Sequence, residues 1–110
     1  MPIRIDSSVE DKTARLALSG DLDGNSAPMV RQAVEAVLAS GPDKLVLAVE
    51  NLTFMASAGL RILVFAQQKQ PKLKIYFVKP QEAVVETLKK TGFYQSVYIV
   101  DDENTAKAAA

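Results

Sequence analysis

Along "TARLALSG", residues 13–20, Ala14, Leu16 and Leu18 alternate with polar or small neighbours. That period of two predicts a half-buried strand ending at Gly20. "IRI" at 3–5 alternates in the same way, and the polar "DSSVEDK" after it reads as the turn of a hairpin or of two neighbouring strands. "DLDGNSAP" at 21–28 is dense in turn formers. Behind it Met29, Val30, Ala33, Val34, Val37 and Leu38 form a stripe at helical spacing. Asn25 or Ser26 is placed to cap that helix, Pro28 suits its first turn, and Gly41 and Pro42 end it.

"LVLAV" at 45–49 is continuously apolar and β-branched, as a central parallel strand buried on both faces should be. "NLTFMA" links it to a second helical pattern, from near Ala58 to about Lys69, and "LKIYFV" at 73–78 is the next strand. Pro80 opens a third helix bearing Val84, Val85 and Leu88. Gly92 suits its left-handed C′ position, with Phe93 as the accompanying hydrophobic contact. "SVYIV" at 96–100 is the last strand, and "DDENTAKAAA" reads as a short, frayed helix. The order ββαβαβαβα predicts one α/β domain: a mixed, mostly parallel sheet with helices packed against it. Its core spans about residues 3–102, with 103–110 as a C-terminal tail.

Composition narrows the chemistry. At 110 residues the chain has the length of one domain, and 48% hydrophobic residues suffice for a core without staples. Thirteen basic and thirteen acidic residues balance to zero, which favours neither nucleic acid nor a membrane surface as partner. No stretch approaches the roughly 18 apolar residues of a membrane span, and the N-terminus does not read as a signal peptide. A cytoplasmic, monomeric protein is expected. Cysteine and histidine are both absent, which removes thiol chemistry, Ser-His triads and the usual ligands of zinc, copper and haem. No catalytic residue, metal or cofactor is expected. "DLDGN" at 21–25 has a glycine in fourth place and Gln32 in twelfth, which does not fit a calcium loop. "NLT" at 51–53 matches a glycosylation sequon, which carries no meaning without secretion. Lys69, Lys72, Lys74 and Lys79, without interleaved aromatics, read as a solvated strand edge.

Ser57, alone between Ala56 and Ala58 and just before Gly59, is the candidate site. Its hydroxyl suits three roles. A helix N-cap is the plainest and is favoured by the chemistry alone. A nucleophile lacks a base, since "ASAG" is not G-x-S-x-G and no histidine exists. A phosphorylation site is physically sound, because a phosphate would meet free N–H groups at the positive helix end. It would also add about −1.5 to −2 charges beside Phe54, Met55 and Ala58.

"LTFMASAGLRIL", with "LSGDLDGNSAP" upstream, resembles the STAS domains and specifically the bacterial anti-sigma factor antagonists. The element order agrees over about residues 3–102. The resemblance implies a regulator rather than an enzyme. Unphosphorylated, such an antagonist binds an anti-sigma factor and releases the sigma factor. The anti-sigma factor is commonly also the serine kinase, and a PP2C-type phosphatase reverses the modification. By position the phosphorylatable residue is Ser57, and Asp23 matches an aspartate of the neighbouring loop. One departure is Ala56, where the family usually carries aspartate. The alternative is a non-switching STAS adaptor subunit of a lipid-transport or other regulatory complex.

The partner face implied combines Asp21, Asp23, Asn25 and Ser26 with Phe54, Met55, Ala56, Ser57, Ala58 and Gly59. Exposed Phe54 and Met55 would give apolar contact, with Asp23 and Asn25 at a polar rim. Replacing Asp23 by Lys is expected to weaken binding without lowering stability.

Overall fold

Only Asp11 and Lys12 separate the first two strands, β1 (Arg4–Glu10) and β2 (Thr13–Leu22), and Asp11 takes a positive φ of 55° to turn the chain. The pairing is antiparallel, from Arg4 opposite Ser19 to Glu10 opposite Thr13. The polar "DSSVE" is therefore strand and not turn. Its pattern misleads because β1 is an edge strand, solvated over most of its surface. A computed structural model of the chain describes residues 2–108. The remaining elements are α1 (Ala27–Leu38), β3 (Lys44–Met55), α2 (Ser57–Lys69), β4 (Lys74–Val78), α3 (Glu82–Lys90), a 3-10 turn (Phe93–Ser96), β5 (Tyr98–Val100) and α4 (Glu103–Ala108).

The five strands lie in chain order, β1-β2-β3-β4-β5, with every pair after the first parallel. This is the mixed, mostly parallel sheet expected. Leu45, Leu47 and Val49 of β3 join Ile75 and Phe77 of β4 in the main core, which α1, α2 and α3 cover. Val46, Tyr76 and Val78 point the other way and form a smaller cluster with Ala106 of α4. That two-sided burial explains the unbroken "LVLAV" run. β4 is interior, so the lysines around it do not mark a strand edge; β5 takes that place and stacks Tyr98 on Tyr76, ring centroids 5.0 Å apart.

Two helix details depart from the sequence reading. Met29 is 54% exposed and lies outside the buried stripe of Val30, Val34, Val37 and Leu38. Ser26 occupies the N-cap position of α1 but makes no side-chain cap bond. At α3, by contrast, Gly92 has φ 78° and Phe93 packs against the core, as the C′ reading requires.

The last helix is docked rather than a frayed tail. Asp102 accepts hydrogen bonds from the Thr105 N–H and hydroxyl, 2.8 and 3.1 Å. The Lys44 ammonium donates to the Ala106 and Lys107 carbonyls, and Ala106 is fully buried. Arg15 forms a two-pronged ion pair with Glu103, its second prong 3.1 Å long. The Arg15 hydrogen bond is the main reason that the Glu103 carboxyl lies below its ordinary value, and the Thr105 N–H does the same for Asp102. A carboxyl lowered in the folded state stabilises above its unfolded pKa, and that contribution is lost as pH falls through the lowered value. Glu103→Gln should therefore cost up to about 1 kcal/mol near neutrality, since the pair is half exposed. The deficit against the parent should shrink as both are titrated through the acid range. Thermal melts of the two proteins across that range check it, and a constant difference would mean that the ion pair contributes nothing.

Candidate functional site

β2 and β3 outrun their neighbours. β4 stops at Val78, opposite Ala48, and β1 begins opposite Ser19. Beyond those points only Gly20–Leu22 and Leu52–Met55 remain paired, a two-stranded extension at the carboxyl ends of parallel strands. Two register shifts lie at its base and along it, opposite Ala17–Ser19 and Gly20–Asp21, each with one extra residue in β3; Gly20, beside the second, has φ 93°. Carboxyl ends of parallel strands are where open α/β sheets place their sites. Thr53 fastens the extension: its hydroxyl lies 3.0 Å from the Gly20 carbonyl and 2.7 Å from an Asp21 carboxylate oxygen. The sequence marked Thr53 only as part of a sequon.

Each strand of the extension feeds a segment of the predicted partner face. From β2 the chain enters the Asp23 turn. The Asp23 carboxylate accepts the N–H groups of Asn25 and Ser26, each at 3.0 Å. Ser26 is buried; its hydroxyl donates to the Asp21 carbonyl, 2.9 Å, and accepts the Asp23 N–H, 2.9 Å. Asp23 thus organises this loop, and the Ser26 N–H is the leading cause of its lowered pKa. That alters the expectation for Asp23→Lys, which would remove these bonds and loosen the loop. Asn25 stays exposed.

From β3 the strand continues to Met55, so "NLTFM" is strand and not link. A single residue, Ala56, precedes α2, and its N–H donates to the Leu22 carbonyl, 2.8 Å, fixing the two chain segments side by side. Alternation breaks at two bulges of β3, one on each side of Leu52, and the second leaves Met55 inward: it is 2% exposed, which contradicts its expected surface role, while Phe54 is 47% exposed. Ala56 and Ala58 are half-buried.

Ala56, not Ser57, is the N-cap of α2 and has no side-chain bond to offer. Ser57 is the first helical residue and is exposed, so the favoured cap reading of its hydroxyl fails. That hydroxyl has no hydrogen-bond partner among the described residues. In the first helical turn the amides of Ser57 and Ala58 have no intrahelical acceptor, and no acidic side chain stands among them. Gly59 is buried for a reason of space. A Cβ there would lie 2.8 Å from Leu22 Cδ2 and 3.0 Å from Met55 Cγ. Glycine lets α2 start directly against the strand ends, which holds Ser57 at the surface beside the Asp23 turn. Met29, near the start of α1, and Phe54 add exposed apolar area at this same end. Among the described residues no acidic cluster could hold a metal ion, and no helix is long and apolar enough to cross a membrane.

A family model described as the STAS domain matches residues 4–106. An anti-sigma F factor antagonist of Paenibacillus polymyxa is 33% identical over 94 residues, covering 81% of this chain and 79% of that protein. The crystal structure of an anti-sigma factor antagonist from Mycobacterium paratuberculosis has a TM-score of 0.80 at 24% identity, over 96% of this chain and 92% of that one. The anti-sigma factor antagonist SpoIIAA in its unphosphorylated form has a TM-score of 0.78 at 15% identity, over 94% and 93% of the two chains. The Bacillus protein in its phosphorylated form gives 0.68 at 15% identity, over 96% and 97%. At these identities the structural likenesses speak to the fold.

Proposed function

The chain belongs to the STAS domain family, and from that premise we propose that it acts as an anti-sigma factor antagonist switched at Ser57. Unmodified, it docks the Ser57 end of its sheet on an anti-sigma factor and so frees the sigma factor. The same anti-sigma factor, acting as a serine kinase, phosphorylates Ser57 and ends the contact, and a PP2C-type phosphatase restores it. One observation carries the reading: an exposed serine hydroxyl, without a partner among the described residues, on the first turn of α2 at the tip of a two-strand extension. A phosphate there has the free amides of the helix start for company, and exposed Arg61 stands one turn along. The protein can therefore carry the modification without unfolding.

The test is mass spectrometry of the protein purified from its native host. Phosphate on Ser57 is the expected result. Unmodified protein that co-purifies with a transport ATPase would favour the adaptor reading, which Ala56, in place of the family's aspartate, keeps in play.

The Asp23 turn supplies a second check. Asp23→Asn keeps the acceptor oxygen for Asn25 and Ser26 but removes the charge. It should weaken anti-sigma binding several-fold while the melting temperature barely moves. Asp23→Lys should lower both. Calorimetric titration beside thermal melts separates the two effects, and full affinity in Asp23→Asn would remove this charge from the interface.

A further inference from the structure

We infer that β1 is a self-complementary edge through which two copies of this chain pair. The inference is independent of the role proposed for Ser57. β1 lies at one end of the strand order, seven residues long, with no bulge in its pairing to β2 and no proline or lysine to blunt it. The opposite edge, β5, has three residues. A long, regular edge is a template for another strand, and the charges of Arg4, Asp6 and Glu10 decide which strand it accepts. A second copy of the same strand, antiparallel across a two-fold axis, is the occupant that its sequence fits.

Geometry limits the register. In an edge strand alternate residues aim their N–H and C=O outward, and two strands bond only where both do so. For two identical antiparallel strands the paired residue numbers must therefore sum to an even value. With the two-fold at Ser7, Arg4 meets Glu10 of the second copy, Ile5 meets Val9, Asp6 meets Ser8, and Ser7 meets itself. Shifting the axis to Asp6 sets that carboxylate against its own copy, and shifting it to Ser8 sets Asp6 against Glu10. Charge thus selects the Ser7 register. It uses all seven residues and forms two Arg4–Glu10 pairs. The ion pairs Arg15–Glu103 and Arg31–Glu35 engage other residues, leaving Arg4 and Glu10 without one among the described residues.

The faces agree as well. Ile5 packs on the main core, so Ile5, Ser7 and Val9 share the helix-covered face, and Arg4, Asp6, Ser8 and Glu10 share the open one. Val9 is 41% exposed in the single chain, and Ile5 of the second copy would cover it. The product is a ten-stranded sheet with isologous contacts. Its two-fold points the two Ser57 ends in opposite directions, so both stay accessible. The proposal departs from the monomer expected from the sequence.

The experiment is sedimentation of the full chain from micromolar to millimolar concentration. A monomer–dimer equilibrium is expected. Arg4→Glu and Glu10→Arg should each raise the dimer Kd about tenfold, because each sets like charges opposite one another twice. Mixing these two variants should restore dimers, since every pair across the mixed contact is again opposite in charge. Ser7→Cys in this cysteine-free chain should oxidise readily to a covalent dimer, as residues facing each other on the axis stand within disulfide reach. Ser8→Cys, two residues out of register with its copy, should not. A wild type monomeric throughout, a dimer indifferent to the charge reversals, or faster cross-linking at position 8 than at position 7 would each overturn the inference.

Discussion

Phosphorylation of Ser57 is expected to weaken binding to the anti-sigma partner by at least about thirtyfold, equivalent to about 2 kcal/mol, with the melting temperature unchanged or slightly raised. The two halves of that statement have different physical origins. Within the fold, an anion at the start of α2 faces amides that have no acceptor and the positive end of the helix. On docking, the same charge must be desolvated against a surface that includes exposed Phe54 and half-buried Ala56 and Ala58. Ser57→Asp should follow the same direction with a smaller effect. Ser57→Ala should bind like the parent and lose less than about 0.5 kcal/mol of stability, since this hydroxyl is not the helix cap. Calorimetric titration of the parent, both variants and the stoichiometrically phosphorylated protein reads all four. Equal affinity with and without phosphate would end the switching reading.

Gly59→Ala should cost about 1–3 kcal/mol, as methyl groups forced into packed cores do. For a domain of this length that lowers the melting temperature by roughly 5–15 °C. The introduced Cβ would stand 2.8 Å from Leu22 and 3.0 Å from Met55, and both side chains are buried with little room to yield. Gly24→Ala is the matched control: nothing lies within 4 Å of its added Cβ, so it should stay within about 0.5 kcal/mol of the parent. Thermal melts of the pair decide the matter. A Gly59→Ala protein as stable as Gly24→Ala would show that α2 can shift outward freely, and the close approach would then have no role in fixing Ser57.

The element order was legible because most of the strands and helices here obey one period each. The alternation at Ala14, Leu16 and Leu18 and the continuous run at Leu45–Val49 correspond to a half-covered and a fully covered strand. Legibility failed where burial and polarity part company. β1 is polar because it is an edge, so its pattern is that of a turn. The outer half of β3 carries Glu50, Asn51 and Thr53 because β4 no longer flanks it, and it looked like a loop. That error hid the inward turn of Met55, which depends on two bulges in β3 that no alternation rule displays. α4 was unreadable for another reason: what docks it are Arg15 and Lys44, 88 and 62 positions away in the chain. At the site, Ser57 was found by its isolation among apolar neighbours, but its place one residue past the cap depends on where β3 ends. The structural duty of Asp23 depends on a turn whose bonds no spacing rule displays.

The single residue between β3 and α2 also bears on time. A strand that runs straight into a helix, with Gly59 seated on Leu22, leaves no segment to act as a hinge. The proposed modification at Ser57 would then have no slow rearrangement to trigger, and the expected result is an unbound protein without microsecond-to-millisecond exchange at these residues by relaxation dispersion. The difference between the two forms would lie in how long a complex survives once made, with dissociation accelerated far more than encounter is slowed. A switch of the proposed kind would respond as fast as the enzymes acting on Ser57, with no conformational lag of its own.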